Sequence, residues 1–234
     1  MAGKGRLMGI RENLNEIREE ISRVAVEAGR GADEVTLIAV TKLHSPEEIN
    51  IAIDNGVADI GENKVQEILE KYDKVKPVRW HLIGHLQTNK VKYIIDKVDL
   101  IHSVDSLKLA QEIQKRAEQH GKIMDILIQV NSAEEESKFG VSSEETENLI
   151  REIGETCPNV KIKGLMCIAP FEEDMEEARP FFREVKEIFN RHADFKYLSM
   201  GMSNDFPVAI EEGATMVRIG TAIFGNRNYR QEEK

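Results

Sequence analysis

Apolar residues recur at steps of three and four through Ile10, Leu14, Ile17, Ile21, Val24 and Ala28. That spacing gives residues 8–29 one apolar face and predicts an amphipathic helix, which Gly29 and Gly31 end. Beyond it the pattern changes to short β-rich runs separated by helical segments. The runs fall at 35–42 (VTLIAVTK), 58–61 (ADIG), 78–83 (VRWHLI), 99–104 (DLIHSV), 124–130 (MDILIQV), 160–168 (VKIKGLMCI), 196–201 (KYLSMG) and 215–219 (TMVRI). Helical segments lie between them, near 46–55, 63–75, 87–97, 106–120, 143–155, 174–192 and 204–212. Ser45-Pro46 opens the first of these, with Glu48 in the capping-box position, and Gly56 and Gly213 close two of them.

Strand and helix alternate without a long linker, which implies right-handed crossovers and a parallel sheet. Eight strands in succession is the count for a (β/α)8 barrel; an open doubly wound sheet is the alternative. A chain of 234 residues suffices for one sizeable core. One domain, 1–234, is therefore expected, with the barrel over 35–225 and a frayed tail at 230–234.

Composition narrows the function classes. The net charge of -10 argues against a nucleic-acid partner, because no face is basic enough to offset it. No apolar run is long enough to cross a bilayer, and MAGKGRLMGIRENL lacks the apolar core of a secretory signal, so a cytoplasmic location is expected. The acidic runs Glu134–Glu136 and Glu172–Asp174 read as solvated loops. Cys157 and Cys167 are too few and unpatterned for a disulfide framework; Cys167, inside an apolar run, reads as a small core residue.

In a barrel, functional groups gather at the C-terminal ends of the strands. There the sequence places Lys42, Glu62 and Asn63, Gly84 and His85, Asn131 and Ser132, then Ser199, Gly201 and Ser203, and finally Arg218, Gly220 and Thr221. Side chains alternate along a strand, so Ile38, Val40 and Lys42 share a face, as do Met216 and Arg218. Closing the barrel makes the first and last strands neighbours, which would bring Lys42 and Arg218 to one mouth. The loops after strands 7 and 8, where barrels frequently bind phosphate, read SMGMSN and RIGT. Lys42 as a solvated surface residue is the plain alternative. A lysine desolvated or placed near another cation has a depressed pKa, and its free amine can attack a carbonyl. A phosphate cradle opposite such a lysine suggests a phosphorylated aldehyde, and pyridoxal 5′-phosphate fits. Its pyridine nitrogen wants an Asp or Arg partner, for which Arg218 is available.

Other residues read more plainly. His81 and His85 straddle a strand–loop junction and offer no third ligand, so a structural or pocket-lining role is expected and no metal. Trp80 reads as barrel-to-helix packing. Met200 and Met202 are either core filler or cofactor wall.

These residues sit in segments that resemble the pyridoxal phosphate homeostasis proteins. The segments are AVTK (39–42), DIGENKVQE (59–67), WHLIGHLQTNK (80–90), HSVDS (102–106), QVN (129–131), KFG (138–140), GLMCIAP (164–170), LSMGMSND (198–205) and VRIGTAIFG (217–225). The resemblance implies a single TIM barrel like the N-terminal domain of alanine racemase, with an extra N-terminal helix. It implies pyridoxal 5′-phosphate held as an aldimine on Lys42 and its phosphate near Ser199, Gly201, Ser203, Gly220 and Thr221. Arg218 would meet the pyridine nitrogen, with Asn63 near the ring and Met202 in the pocket. LHS (43–45), where the family often has Lys then Pro, is a modest departure.

A carrier that buffers the cofactor, and hands it to pyridoxal-phosphate-dependent apoenzymes, is the expected function. An amino-acid racemase is the alternative. Fold-related racemases use a tyrosine from a second domain, and Tyr72, Tyr93, Tyr197 and Tyr229 offer no obvious mouth-facing acid or base. A cofactor-free Schiff-base aldolase would leave Arg218 and the strand 7 loop unexplained. No catalytic residue is assigned, and a monomer is expected.

Overall fold

The computed structural model describes residues 2–133, 139–170 and 174–225. Eight strands form a closed, all-parallel barrel in sequence order: β1 (Thr36–Val40), β2 (Asp59–Glu62), β3 (Arg79–Leu82), β4 (Leu100–Val104), β5 (Met124–Val130), β6 (Val160–Cys167), β7 (Tyr197–Ser199) and β8 (Met216–Ile219). The seam closes by pairing β1 with β8, with Ile38 opposite Arg218 and Ala39 opposite Ile219. The expected tail at 230–234 and the acidic runs at 134–136 and 172–173 lie outside the described residues.

Side-chain alternation sorts each strand into an outer and an inner face. Outward residues such as Ala39, Ile60, Trp80, Leu82, Leu198 and Val217 join the large core between barrel and helices. Trp80 packs there against Tyr72, ring centroids 5.6 Å apart. Inward, Ile38, Leu100, Leu127, Met166 and Met216 form a separate apolar plug inside the barrel.

The outer layer holds α2 (Pro46–Asp54), α3 (Val65–Lys71), α4 (Leu107–Gln119), α5 (Ser143–Thr156), α6 (Arg179–Phe189), α7 (Phe206–Glu211) and α8 (Thr221–Phe224). The capping box at the start of α2 forms: Ser45 Oγ accepts from the Glu48 N–H, and Glu48 returns the contact to the Ser45 N–H. Two helical expectations change form. Residues 88–93, expected within a helical segment at 87–97, adopt a 3₁₀ helix, and Val91, Ile94 and Ile95 in and after it are buried. A 3₁₀ helix rises about 2.0 Å per residue against about 1.5 Å for an α-helix, which suits a short return along the barrel. The 174–192 segment divides into a 3₁₀ turn (Met175–Ala178) and α6, because Pro180 fits only a helix's first turn.

The preceding helix, α1 (Ala2–Glu27), lies across the seam against α2, α7 and α8. It ties down carbonyls at the ends of all three. Asn13 Nδ2 donates to Ile223 O (2.8 Å), Arg18 Nη1 to Asn55 O (2.8 Å), and Arg30, just beyond α1, to Ile210 O and Ala214 O. Helix ends leave carbonyls short of intrahelical partners, and these side-chain bonds supply donors at or just beyond three such ends. Among the described residues, no helix is long and apolar enough to cross a membrane.

Leu14 is fully buried on the inner face of α1. Leu14→Ala is expected to lower the free energy of urea unfolding by about 2–5 kcal/mol, the usual cost of a core cavity. A loss below about 1 kcal/mol would mean that α1 adds little to the fold.

Candidate functional site

The C-terminal ends of the strands open onto a cavity of about 620 Å³. Lys42, Asn63, Met202, Ser203, Arg218, Gly220 and Thr221 line it, with Val40, Ile83, Ile168, Pro170 and Met175 as apolar walls. The structure thus brings together most of the residues singled out from the sequence. Ser199 and Gly201 do not line the cavity; both sit behind it.

Lys42 is presented by a constrained turn. β1 ends at Val40, two residues earlier than the sequence pattern suggests, because Thr41–Leu43 is gripped from the side. Lys71, from α3, donates to Thr41 O (2.9 Å), Glu62 Oε1 (2.7 Å) and Glu67 Oε2 (2.7 Å). Thr41 Oγ1 donates to the same Glu62 oxygen, and Leu43 N–H donates to Glu67. Leu43 is held at φ 65°, the one non-glycine residue in the left-handed region among those described. Such a conformation costs on the order of 1–3 kcal/mol and persists only where surrounding contacts impose it. His44 then stacks on Phe224 of α8, centroids 4.4 Å apart. Val40 and Lys42 keep the alternation and both face the cavity.

Glu62 departs from its expected place. It is the last residue of β2, fully buried beside Lys71, and it does not face the mouth. Burial raises its carboxyl pKa, against the pull of Lys71. Glu67 goes the other way. Burial alone would raise it, but the bonds from Lys71 and the Leu43 N–H outweigh that and hold it below the usual carboxylate range.

Asn63 is positioned by close packing. A Cβ on Gly84 would come within 2.3 Å of the Asn63 carbonyl oxygen, so only glycine lets the β3 loop lie against it. Gly201 plays the same part behind Met202. Its φ is +91°, and a Cβ there would approach Ala209 Cβ to 2.6 Å. The two methionines divide: Met200 is core, whereas Met202 lines the cavity. Asp205, not anticipated from the sequence, also lines it and accepts from the Met202 N–H, which shapes the strand 7 loop. Burial raises the Asp205 carboxyl pKa.

Arg218 forms part of the cavity floor and is almost fully buried. Nη1 donates to Ser199 Oγ (2.6 Å) and Nη2 to Cys167 O (2.8 Å). Among the described residues it makes no ion pair with a carboxylate. Burial lowers its pKa, opposed by the nearby Cys167 and Asp205. Cys167 is a buried thiol pushed up to about 12, again mainly by burial. Below Arg218, Ser199 Oγ contacts His102, His102 contacts His81, and His81 contacts Asp59. His85 is separate, exposed and stacked on Phe139, ring centroids 3.8 Å apart. His102 was legible only as an inward position on β4, two residues beyond Leu100, and Asp59 as the inward residue that opens β2.

A buried guanidinium without a carboxylate calls for an acceptor from a ligand. An amine, an amide, two hydroxyls and a closely approaching backbone surround the same space. Those donors fit a phosphorylated aromatic aldehyde, and the volume lies within the usual range for small-ligand pockets.

Fold and site together place the molecule among barrels of the alanine racemase N-terminal domain type, whose family model matches residues 12–228. An alanine racemase of Clostridium difficile shares the fold alone, at 15% identity and a TM-score of 0.71, over 95% of this chain and 58% of that one. The chain belongs to the family of pyridoxal phosphate homeostasis proteins. The member from Aquifex aeolicus is 47% identical over 225 residues, 93% of this chain and 98% of its own. The solved structure of PipY from Synechococcus elongatus PCC7942, described as having PLP bound, is 31% identical with a TM-score of 0.79, over 92% of this chain and all of that one.

Removing Lys71 would leave Glu62 as an uncompensated buried charge. Lys71→Met is expected to cost about 3–5 kcal/mol in urea unfolding. A cost under about 1 kcal/mol would show that the cluster does not hold the turn. The cluster also sets a pH dependence. Asp59 is likewise held low, since His81 and Arg79 outweigh its burial. Stability from Asp59 and Glu67 is fully present above the ordinary carboxylate pKa of about 4 and is lost as pH falls through their lower folded values. Glu62, held high, acts in the opposite sense between its ordinary value and its raised one. Unfolding free energy is therefore expected to drop below about pH 4. Glu67→Gln should flatten that drop, and parallel profiles for the two proteins would refute the assignment.

Proposed function

We propose that this protein holds pyridoxal 5′-phosphate in the barrel-mouth cavity and acts as a carrier that buffers the cofactor and passes it to apoenzymes. The observation that carries this reading is the convergence on one cavity of Lys42 and a buried Arg218 that forms no ion pair with a carboxylate among the described residues. The names of similar proteins and the PLP described in PipY support it.

Lys42 is the attachment point: its amine nitrogen adds to the aldehyde carbon, a C=N bond forms and one water leaves. The bound group supplies an electron-accepting ring. Ser203, Gly220 and Thr221 hold the phosphate through hydroxyl and backbone N–H groups, with Gly201 shaping the loop behind them. Arg218 donates to the ring nitrogen without surrendering its proton, which weakens the ring as an electron sink and suits storage over turnover. Asn63 and Met202 flank the ring. Ser199, assigned to the phosphate on resemblance, serves Arg218 instead. No tyrosine lines the cavity among the described residues, which favours a carrier over a racemase. A single-domain cytoplasmic monomer completes the proposal.

Added pyridoxal phosphate is expected to give a yellow protein whose visible band is absent in Lys42→Ala. Borohydride should fix the cofactor on the peptide containing Lys42, as read by mass spectrometry. A protein that stays colourless with excess cofactor would overturn the reading. Robust Lys42-dependent racemisation across an amino-acid panel would replace the carrier by an enzyme.

A further inference from the structure

A single file of hydrogen bonds runs through the barrel from the cavity to the opposite end. Arg218 Nη1 donates to Ser199 Oγ at 2.6 Å, and Ser199 Oγ lies 3.0 Å from His102 Nδ1. His102 Nε2 lies 2.9 Å from His81 Nδ1, and His81 Nε2 lies 2.9 Å from Asp59 Oδ1. Asp59 ends the file in a bidentate pair with Arg79, both contacts at 2.6 Å. All members from Arg218 to Asp59 are buried, whereas the side chain of Arg79 is 61% exposed at the N-terminal rim of β3.

The two ends fix the direction of every bond. A guanidinium has only donors, so Ser199 Oγ accepts from Arg218. A second bond accepted from His102 would leave the serine proton without an acceptor in this fully buried place, so that proton goes to His102 Nδ1. His102 is fully enclosed, and burial above all, with the charge of Arg218 nearby, keeps its pKa well below the ordinary imidazole value. It is therefore neutral, with one accepting and one donating nitrogen. Since Nδ1 accepts, Nε2–H donates to His81 Nδ1. His81 is left with a proton on Nε2, which meets a carboxylate that can only accept.

An apolar interior would have filled this volume, as Ile38, Leu100, Leu127, Met166 and Met216 do alongside. Burying four polar side chains below an arginine is tolerable only because each satisfies the next. We propose that Ser199, His102, His81 and Asp59 are positioning residues for Arg218, pinning one edge of its guanidinium so that its other N–H groups stay aimed into the cavity. This rests on the cofactor reading for its purpose, a fixed donor at the ring nitrogen, but the pinning itself belongs to the empty-handed protein as well. Asp59, which lines no part of the cavity, thereby governs how its floor is held. Replacing its carboxylate by an amide, which can present either an acceptor or a donor to His81, removes the constraint that makes the file one-way.

The test is nitrogen NMR on ¹⁵N-labelled protein without added cofactor, at neutral pH. In the wild type, His81 and His102 are expected as neutral Nε2–H tautomers with bare Nδ1, and Arg218 as a guanidinium with separate, slowly exchanging Nη signals. In Asp59→Asn, His102 should show both tautomers and the Arg218 Nη signals should merge. In Ser199→Ala, the Arg218 signals should merge while His81 keeps its Nε2 proton on Asp59. His102 protonated at Nδ1 in the wild type would overturn the proposal, as would Arg218 signals unchanged in both variants. Wild-type protein that shows these tautomers but takes up no pyridoxal phosphate would support the file and refute the carrier reading. The two failures are thus separable.

Discussion

The pairing of the first strand with the last is the constraint on which the rest depends. Ile38 sits opposite Arg218 across that seam, so the lysine two residues past β1 and the arginine of β8 open onto the same cavity. Nothing in the local sequence around either residue requires the other. Their proximity is a property of closure: an open sheet with the same strands would leave these two cations at opposite edges. Once the seam is made, the alternation of side chains decides which groups face inward, and a cavity bearing one amine and one guanidinium follows.

Two buried polar systems then serve the two cations in different ways. The Lys71 cluster lies between barrel and helix layer and acts on backbone, holding Thr41–Leu43 in a turn that leucine would not choose. The file beneath Arg218 lies inside the barrel and acts on a side chain. Both carry the risk common to buried polar groups, since losing one member strands its partner away from water. The apolar plug and the outer core carry none of it.

Much of the fold was legible because barrel strands and amphipathic helices leave distinct periodicities. The strand positions agree to within a few residues, and the α2 cap formed as its sequence required. What escaped were features decided by neighbours distant in sequence. The end of β1 depended on Lys71, thirty residues on. At the site, residue type located Lys42, Arg218, Asn63 and Thr221. Type alone did not reveal that Ser199 lies behind the cavity against Arg218, because a serine beside glycines looks the same in either place. Its inward place on a three-residue strand, across the barrel from β4, is information that only closure supplies. His102 and Asp59 were hidden for the same reason. Each is a polar residue in an apolar stretch, and its partners come from other strands.

The helix that lies across the seam has a consequence for how the chain is made. Asn13 bonds to the carbonyl of Ile223, 210 residues away, and Arg30 to those of Ile210 and Ala214. This helix, made before any strand of the barrel, is thus among the last elements to complete its contacts. At about 5–20 residues per second, roughly 10–40 s separate the synthesis of the two partners. Through that interval the apolar face of Ile10, Leu14, Ile17, Ile21 and Val24 has α2 beside it but lacks the α7 and α8 surfaces that complete its cover. A nascent chain of this protein is expected to present that stripe to whatever holds unfinished proteins in solution, and to release it only when the eighth strand arrives.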